Sequence, residues 1–118
     1  EVKQFIKNTN CSFFVTSFEK YSSDKKYDLI FSLANDETID GNTKFTFEEY
    51  IEKIFNLLLK NGILIFESQA ADAYDKNKFK PKLEFLLKKF DVLEERIVTS
   101  EYPINVPNRI FMILKKKI

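Results

Sequence analysis

Histidine and tryptophan are absent from this sequence, and cysteine occurs once, at Cys11. Without a second thiol no intrachain disulfide can form, and without histidine or paired thiolates no zinc site of the usual donors can be built, so no metal is expected. Glycine is nearly absent as well. Gly41 and Gly62 are the only two, too few and too scattered for a glycine-rich loop that brings backbone N–H groups close to a phosphate or cofactor. No apolar segment approaches the roughly 20 residues needed to span a bilayer, and no secretory leader is recognisable, so no membrane partner and a cytoplasmic setting are expected. Neither sign of charge dominates: 19 basic side chains face 18 acidic ones, for a net +1. The lysines form no stripe interleaved with aromatics, which argues against nucleic acid as a direct partner.

What is present is an ordinary globular composition, 44% hydrophobic and 31% charged over 118 residues, enough for one domain with one core. Thirteen phenylalanines supply a ring-rich interior and suggest no aromatic cage. No internal repeat or low-complexity tract is visible. Glu1 rather than Met opens the sequence, and we expect these residues to begin inside a longer gene product.

The organising stretch is residues 27–69. Residues 27–34 form an apolar run too short for a typical helix, ending in polar Asn35-Asp36-Glu37, as a buried parallel strand does. Thr46 and Glu49 make a capping box, and Phe47, Tyr50, Ile51, Ile54 and Leu58 recur on one helical face. Asn61-Gly62 is expected to end that helix, and residues 63–66 to form the next strand, with Glu67-Ser68-Gln69 as its polar end. Two short strands joined through a helix make a parallel crossover unit, and ligands of such sheets lie beyond the carboxyl ends of the strands.

Around this unit, residues 1–10 resemble the tail of a helix and residues 12–18 a strand, followed by a polar loop over 19–26. Residues 35–44 form a long polar connection with a turn at Asp40-Gly41. A second helix is expected over about 78–90, its apolar face carried by Phe79, Leu83, Leu86, Leu87 and Phe90, with Pro81 in the first turn. Residues 91–99 and 109–114 read as two strands joined without a helix, hence antiparallel if paired.

Residues 27–35, YDLIFSLAN, and 57–68, LLLKNGILIFES, resemble the fourth strand, following helix and fifth strand of class I S-adenosylmethionine-dependent methyltransferases. Asn61 stands where that family commonly has proline before its glycines. The closing pair of strands matches the family's terminal hairpin. The resemblance implies a partial Rossmann-like α/β sheet, parallel with a C-terminal antiparallel hairpin and helices on its faces. It implies too that these residues are the carboxyl-terminal part of one methyltransferase domain, without its first strands and glycine-rich loop. S-adenosylmethionine is the implied cofactor of the complete protein, and a small molecule or sugar the implied acceptor, since the motifs of nucleic-acid methylases are missing.

By the same resemblance Ser17 and Phe18 match the positions that meet the adenine, with Ser17 in place of the usual Asp; Ser17 reads equally well as the start of a turn. Ser32, Leu33 and Asn35 match cofactor-side positions at the end of the fourth strand. For a hydroxyl nucleophile a base is needed, and with no histidine the candidates are Asp36, Glu67 and Glu37, of which Asp36 and Glu67 are preferred. Each has a structural alternative as a strand-end carboxylate in water. Losing two charge-assisted hydrogen bonds, at roughly 1.5–3 kcal/mol each, weakens binding by about two to four powers of ten, so these residues alone are expected to be inactive. A receiver domain is disfavoured, because position 67 is Glu where that fold needs Lys. A non-catalytic interaction domain that keeps the fold is the serious alternative.

In the family's sheet order, the first and second strands separate the third from the fourth. Their absence leaves the flank of residues 27–34 unpaired, which proteins rarely tolerate on a flat apolar strand. The expectation is that residues 12–18 slide over to pair there, or that two chains join at that edge as a homodimer.

Overall fold

The structure is a computed structural model and describes residues 10–36, 44–68, 76–100 and 106–118. Four strands and two helices follow in the order β1 (Tyr27–Leu33), α1 (Phe47–Leu57), β2 (Leu58–Glu67), α2 (Lys76–Lys89), β3 (Phe90–Ser100) and β4 (Val106–Lys116). They form one sheet of order β1-β2-β4-β3. β1 and β2 are parallel, with Ile30 beside Leu64 and Ser32 beside Phe66. β4 runs antiparallel to both β2 and β3. The order and the closing hairpin are those that the resemblance implies.

α1 starts where its sequence dictates. The Thr46 hydroxyl accepts from the Glu49 amide at 3.1 Å, and the Glu49 carboxylate accepts from the Thr46 amide at 2.9 Å. Both arms of the capping box are made, satisfying two donors the first turn leaves orphaned. The helix buries Ile51, Ile54 and Leu57 against Leu64, Phe66, Met112 and Leu114 of the sheet and against Phe79, Leu86 and Phe90. Each such side chain contributes roughly 1.5–3 kcal/mol relative to exposure. Both helices pack on this one face.

Several boundaries differ from the sequence reading. α1 ends at Leu57 with an extended Leu58 as its C-cap, so Asn61-Gly62 lies within the irregular start of β2. The register there jumps from Tyr27 beside Leu58 to Leu29 beside Ile63. Asn61 takes the left-handed conformation, φ 63°, and Gly62 is needed for close approach, since a Cβ on it lies 2.8 Å from the Leu59 carbonyl oxygen. At the helix end the extended Leu58 donates its amide to the Ile54 and Phe55 carbonyls, and two lysines from elsewhere add to the cap: Lys116 Nζ donates to Phe55 O and Leu58 O, each at 2.8 Å, and Lys26 Nζ donates to Asn56 O. Pro81 stands in the second turn of α2 and not in the first as expected, because the helix begins at Lys76, and there it lacks the N–H that would bond the carbonyl four residues back.

Residues 12–18 are not a strand. They run as irregular backbone, with Phe13, Phe14 and Val15 exposed. A β-branched and aromatic run has extended propensity, but a strand needs a ladder partner, and none is beside it. Among the described residues β1 therefore has no strand on its outer edge. The in-chain route to covering that edge is not taken.

The second face of the sheet carries no helix among the described residues. Leu29, Phe31 and Leu33 are 45%, 59% and 47% exposed there, beside half-buried Ile63 and Ile65 of β2 and Phe111 and Ile113 of β4. Among the described residues, the expectation of helices on the sheet's faces is met on one face. The readings for residues 1–9, for most of the loop over 35–44, for Glu37 and for Gln69 lie outside the described residues.

Candidate functional site

The carboxyl ends of β1 and β2 lie side by side, where a parallel sheet offers its ligand site. Leu33 is level with Glu67, and the Ala34 amide continues the ladder by donating to the Glu67 carbonyl at 2.9 Å. Ala34 then turns the chain with φ 55°, a conformation that costs a residue with a Cβ about 1–2 kcal/mol. Past this bend stand Asn35 and Asp36.

A cavity of about 390 Å³ opens along the outer side of β1, and Ser17, Phe18 and Asn35 all line it, together with Phe45, Tyr50 and Ile54. Three of the five residues matched to the cofactor thus meet in one place. Phe18 packs edge to face on Tyr50 at 5.3 Å, with the Lys53 ammonium 5.0 Å over its ring. Lys53 also donates to the Phe18 and Glu19 carbonyls. Ser17 starts a turn, the structural role weighed for it, and it also lines the cavity. Its carbonyl accepts from the Tyr21 amide at 3.0 Å as a turn residue, while its side of the turn faces the cavity.

Ser32 is 1% exposed and shares a 2.6 Å hydrogen bond with the Tyr50 hydroxyl. Burial pushes the Tyr50 phenol above its ordinary value of 10.0, the Ser32 hydrogen bond opposes this, and nearby Asp36 adds to it. Asp36 is 7% exposed and pairs with Lys82 of α2 at 3.3 Å. Lys82 in turn lies 5.1 Å over the Phe47 ring. Ser32 and Asp36 therefore belong to the helix-covered side.

Leu33 and Glu67 belong to the other. The strand alternation that buries Leu64 and Phe66 against the helices puts Glu67 on the helix-free face beside Leu33. Glu67 pairs there with Arg109 at 3.1 Å. The two candidate bases share one end of the sheet but sit on opposite sides of it, each held by a cation. Sequence reading missed Tyr50, Lys53, Lys82 and Arg109. Tyr50 was counted as an apolar position, and nothing in spacing alone links Lys82 to Asp36 across 46 residues.

Among the described residues no group of three potential metal ligands occurs, and no helix is long and apolar enough to cross a membrane.

No family model matches the chain, and no curated protein does. Two solved structures resemble it. Precorrin-6y C5,15-methyltransferase from Geobacter metallireducens GS-15 aligns over 79% of this chain and 46% of that one, with 19% identity and a TM-score of 0.47. N-methyltransferase NodS from Bradyrhizobium japonicum WM9, in complex with S-adenosyl-L-homocysteine, aligns over 98% of this chain at 14% identity, with a TM-score of 0.71. The chain spans 59% of the length of that protein. Strand order, closing hairpin and the second of these likenesses agree on one result, a methyltransferase-like fold of which this chain forms part.

Proposed function

We propose that this chain is the carboxyl-terminal part of an S-adenosylmethionine-dependent methyltransferase domain, whose complete form methylates a small molecule or sugar. The observation that carries the reading is the convergence of Ser17, Phe18 and Asn35 on one cavity at the ligand end of a methyltransferase-like sheet. The cavity's size lies near the small end for ligand pockets, and its aromatic walls with a polar rim suit a purine ring. The described residues fit the adenine end of the cofactor. They include no glycine-rich turn and no acid matched to the ribose; in this reading those contacts are made by residues outside this chain.

The cofactor supplies an activated methyl group on a sulfonium. What this chain contributes is alignment and proton handling. Phe18 and Tyr50 offer ring faces, Asn35 offers an amide at the rim, and Ser32 fixes the Tyr50 hydroxyl. Leu33 lies on the opposite, helix-free face, 47% exposed. Asp36 and Glu67 are the candidate acceptors of a proton from a hydroxyl nucleophile. Calorimetric titration with S-adenosylhomocysteine tests the reading: a longer form that includes the upstream coding sequence is expected to bind, and these 118 residues alone to bind weakly or not at all. Tight binding by the 118 residues refutes the division of labour.

A second reading is favoured by the exposed Leu29, Phe31 and Leu33, namely a non-catalytic interaction domain, including a homodimer through the β1 edge. Sedimentation of the chain and of its Phe31→Lys variant separates the two: a dimer abolished by Phe31→Lys supports the interaction reading.

A further inference from the structure

Another cavity, of about 430 Å³, lies at the start of β1, walled by the loop over 21–25, by Tyr27 and by the irregular backbone of 10–14. Its wall carries a cluster of hydroxyls. Tyr21 and Tyr27 share a half-buried hydrogen bond of 2.7 Å between their phenol oxygens. The Ser23 hydroxyl adjoins both phenols and accepts from the Lys25 amide at 3.0 Å, which fixes the loop that carries it. The Phe14 ring stands beside them, braced edge to face on Tyr21 at 5.5 Å and 65% exposed. Asn10 and Asp24 also line the cavity.

These groups select a ligand by the bonding capacity they leave unfilled. Each hydroxyl brings one proton and two acceptor positions, so the cluster holds more lone pairs than its own protons and the Lys25 amide can fill. It keeps acceptor positions for donors from outside. The Asp24 carboxylate accepts only, the Lys25 ammonium donates only, and the Asn10 amide does both. Asp24 and Lys25 cancel in charge, so the cavity favours neither an anion nor a cation. A single aromatic face among hydroxyls, a carboxylate and an amide is too polar a lining for an acyl chain or a flat apolar ligand. It gives a polyhydroxy ring what it needs, hydroxyl partners at the rim and an electron-rich face for its C–H bonds. The volume falls in the range of small-ligand sites.

We propose that this cavity is a carbohydrate-binding site, taking a neutral pyranose whose C–H face lies on the Phe14 ring while its hydroxyls bond the Tyr21, Ser23 and Tyr27 cluster and the Asp24 carboxylate. Tyr21 also stacks on Phe18 at 6.4 Å, so this cavity and the one lined by Ser17, Phe18 and Asn35 adjoin through that pair of rings. That the sugar belongs to the methyl acceptor rests on the function proposed above; its binding at this place does not.

The test follows the ring signals of ¹³C-labelled tyrosines while methyl β-D-glucopyranoside or methyl β-D-galactopyranoside is added, both to this chain and to the longer form that includes the upstream coding sequence. Tyr50 lines the other cavity and is the internal control. The expected result is a saturable shift at Tyr21 and Tyr27 with at least one of the sugars, in both forms, and no comparable shift at Tyr50. Glycerol has hydroxyls but no ring face, and is expected to bind about threefold more weakly or worse. Phe14→Ala, at an exposed position, is expected to keep the urea midpoint and to weaken sugar binding about three- to tenfold. Asp24→Asn is expected to weaken it severalfold through loss of a charged acceptor. The proposal is overturned by the absence of a saturable shift with either sugar, by an equal shift at Tyr50, or by unchanged affinity in Phe14→Ala. Glycerol binding as tightly as the sugars means an adventitious additive only, and overturns it too. Loss of the shifts in the longer form does the same, because upstream residues then cover the cavity. Calorimetric titration with S-adenosylhomocysteine reports separately on the methyltransferase reading.

Discussion

Tyr50→Phe should destabilise the fold by more than a hydroxyl at the surface could explain, and most of the loss should vanish when Ser32 is changed as well. The two hydroxyls are 2.6 Å apart, with Ser32 almost wholly buried. Removing the Tyr50 oxygen forfeits a net bond of about 0.5–1.5 kcal/mol and strands the Ser32 hydroxyl, for a total of about 1–3 kcal/mol. Ser32→Ala strands Tyr50 in the same way. The double variant leaves neither group orphaned, so its cost should fall short of the sum of the singles by about 1–2 kcal/mol. Urea unfolding of the four proteins gives this coupling, provided the slopes agree. A second arm uses pH. The unfolded chain releases the Tyr50 proton near 10, whereas burial holds it on the folded protein to higher pH. Between those two values the native state binds more protons, so stability falls as pH rises past about 10. That fall should be shallower in Tyr50→Phe than in the parent. Additive single costs, or an identical alkaline slope in both proteins, refute the account of this pair.

Lys116→Met should cost about 1–3 kcal/mol by removing the Lys116 hydrogen bonds to the Phe55 and Leu58 carbonyls at the end of α1, a loss measurable as a lowered urea midpoint. Thr46→Ala should cost about 1 kcal/mol through the lost capping box, and Thr46→Asp should restore most of it in the same assay. Gly62→Ala forces a methyl to within 2.8 Å of a backbone oxygen and should cost about 1–3 kcal/mol, while Asn61→Gly at the adjacent left-handed position should be nearly neutral by thermal unfolding.

What could be read from the sequence was what depends on neighbours in the chain. The capping box at Thr46 and Glu49, the apolar face of Ile51 and Ile54, and the two strands of the closing hairpin are local patterns, and the structure forms them. Asn61-Gly62 was read as the stop of the helix, but the helix ends at Leu57 and its last carbonyls accept from Lys26 and Lys116, 30 and 58 or more residues away, which no local pattern encodes. Residues 12–18 failed for the same kind of reason. Their composition favours an extended chain, but whether an extended chain becomes a strand depends on a partner that no local pattern encodes. At the site, strand alternation placed Ser32 and Leu33 on opposite faces in principle, yet the pairing of Asp36 with Lys82 and of Glu67 with Arg109 is a tertiary result. Arg109 carried no sequence signal at all beyond its place at the start of an apolar run.

Three separate observations have one physical cause. Among the described residues the outer edge of β1 has no strand beside it, the face bearing Leu29, Phe31 and Leu33 has no helix over it, and residues 12–18 lack a ladder. Sheets with parallel strands are normally covered on both faces, because crossover connections place helices there. Pairing two copies edge to edge supplies hydrogen bonds to β1 but leaves the apolar face of each copy in water. Stacking two copies face to face buries the apolar side chains but leaves the β1 amides and carbonyls unpaired. Neither arrangement alone removes both defects. A segment that adds a parallel strand to β1 and lays its crossover helix across Leu29, Phe31, Ile63 and Ile65 removes both at once, and its strand would end beside the cavity that Ser17, Phe18 and Asn35 line. On the function proposed above, such a segment would complete the sheet and the ligand site in one structural event.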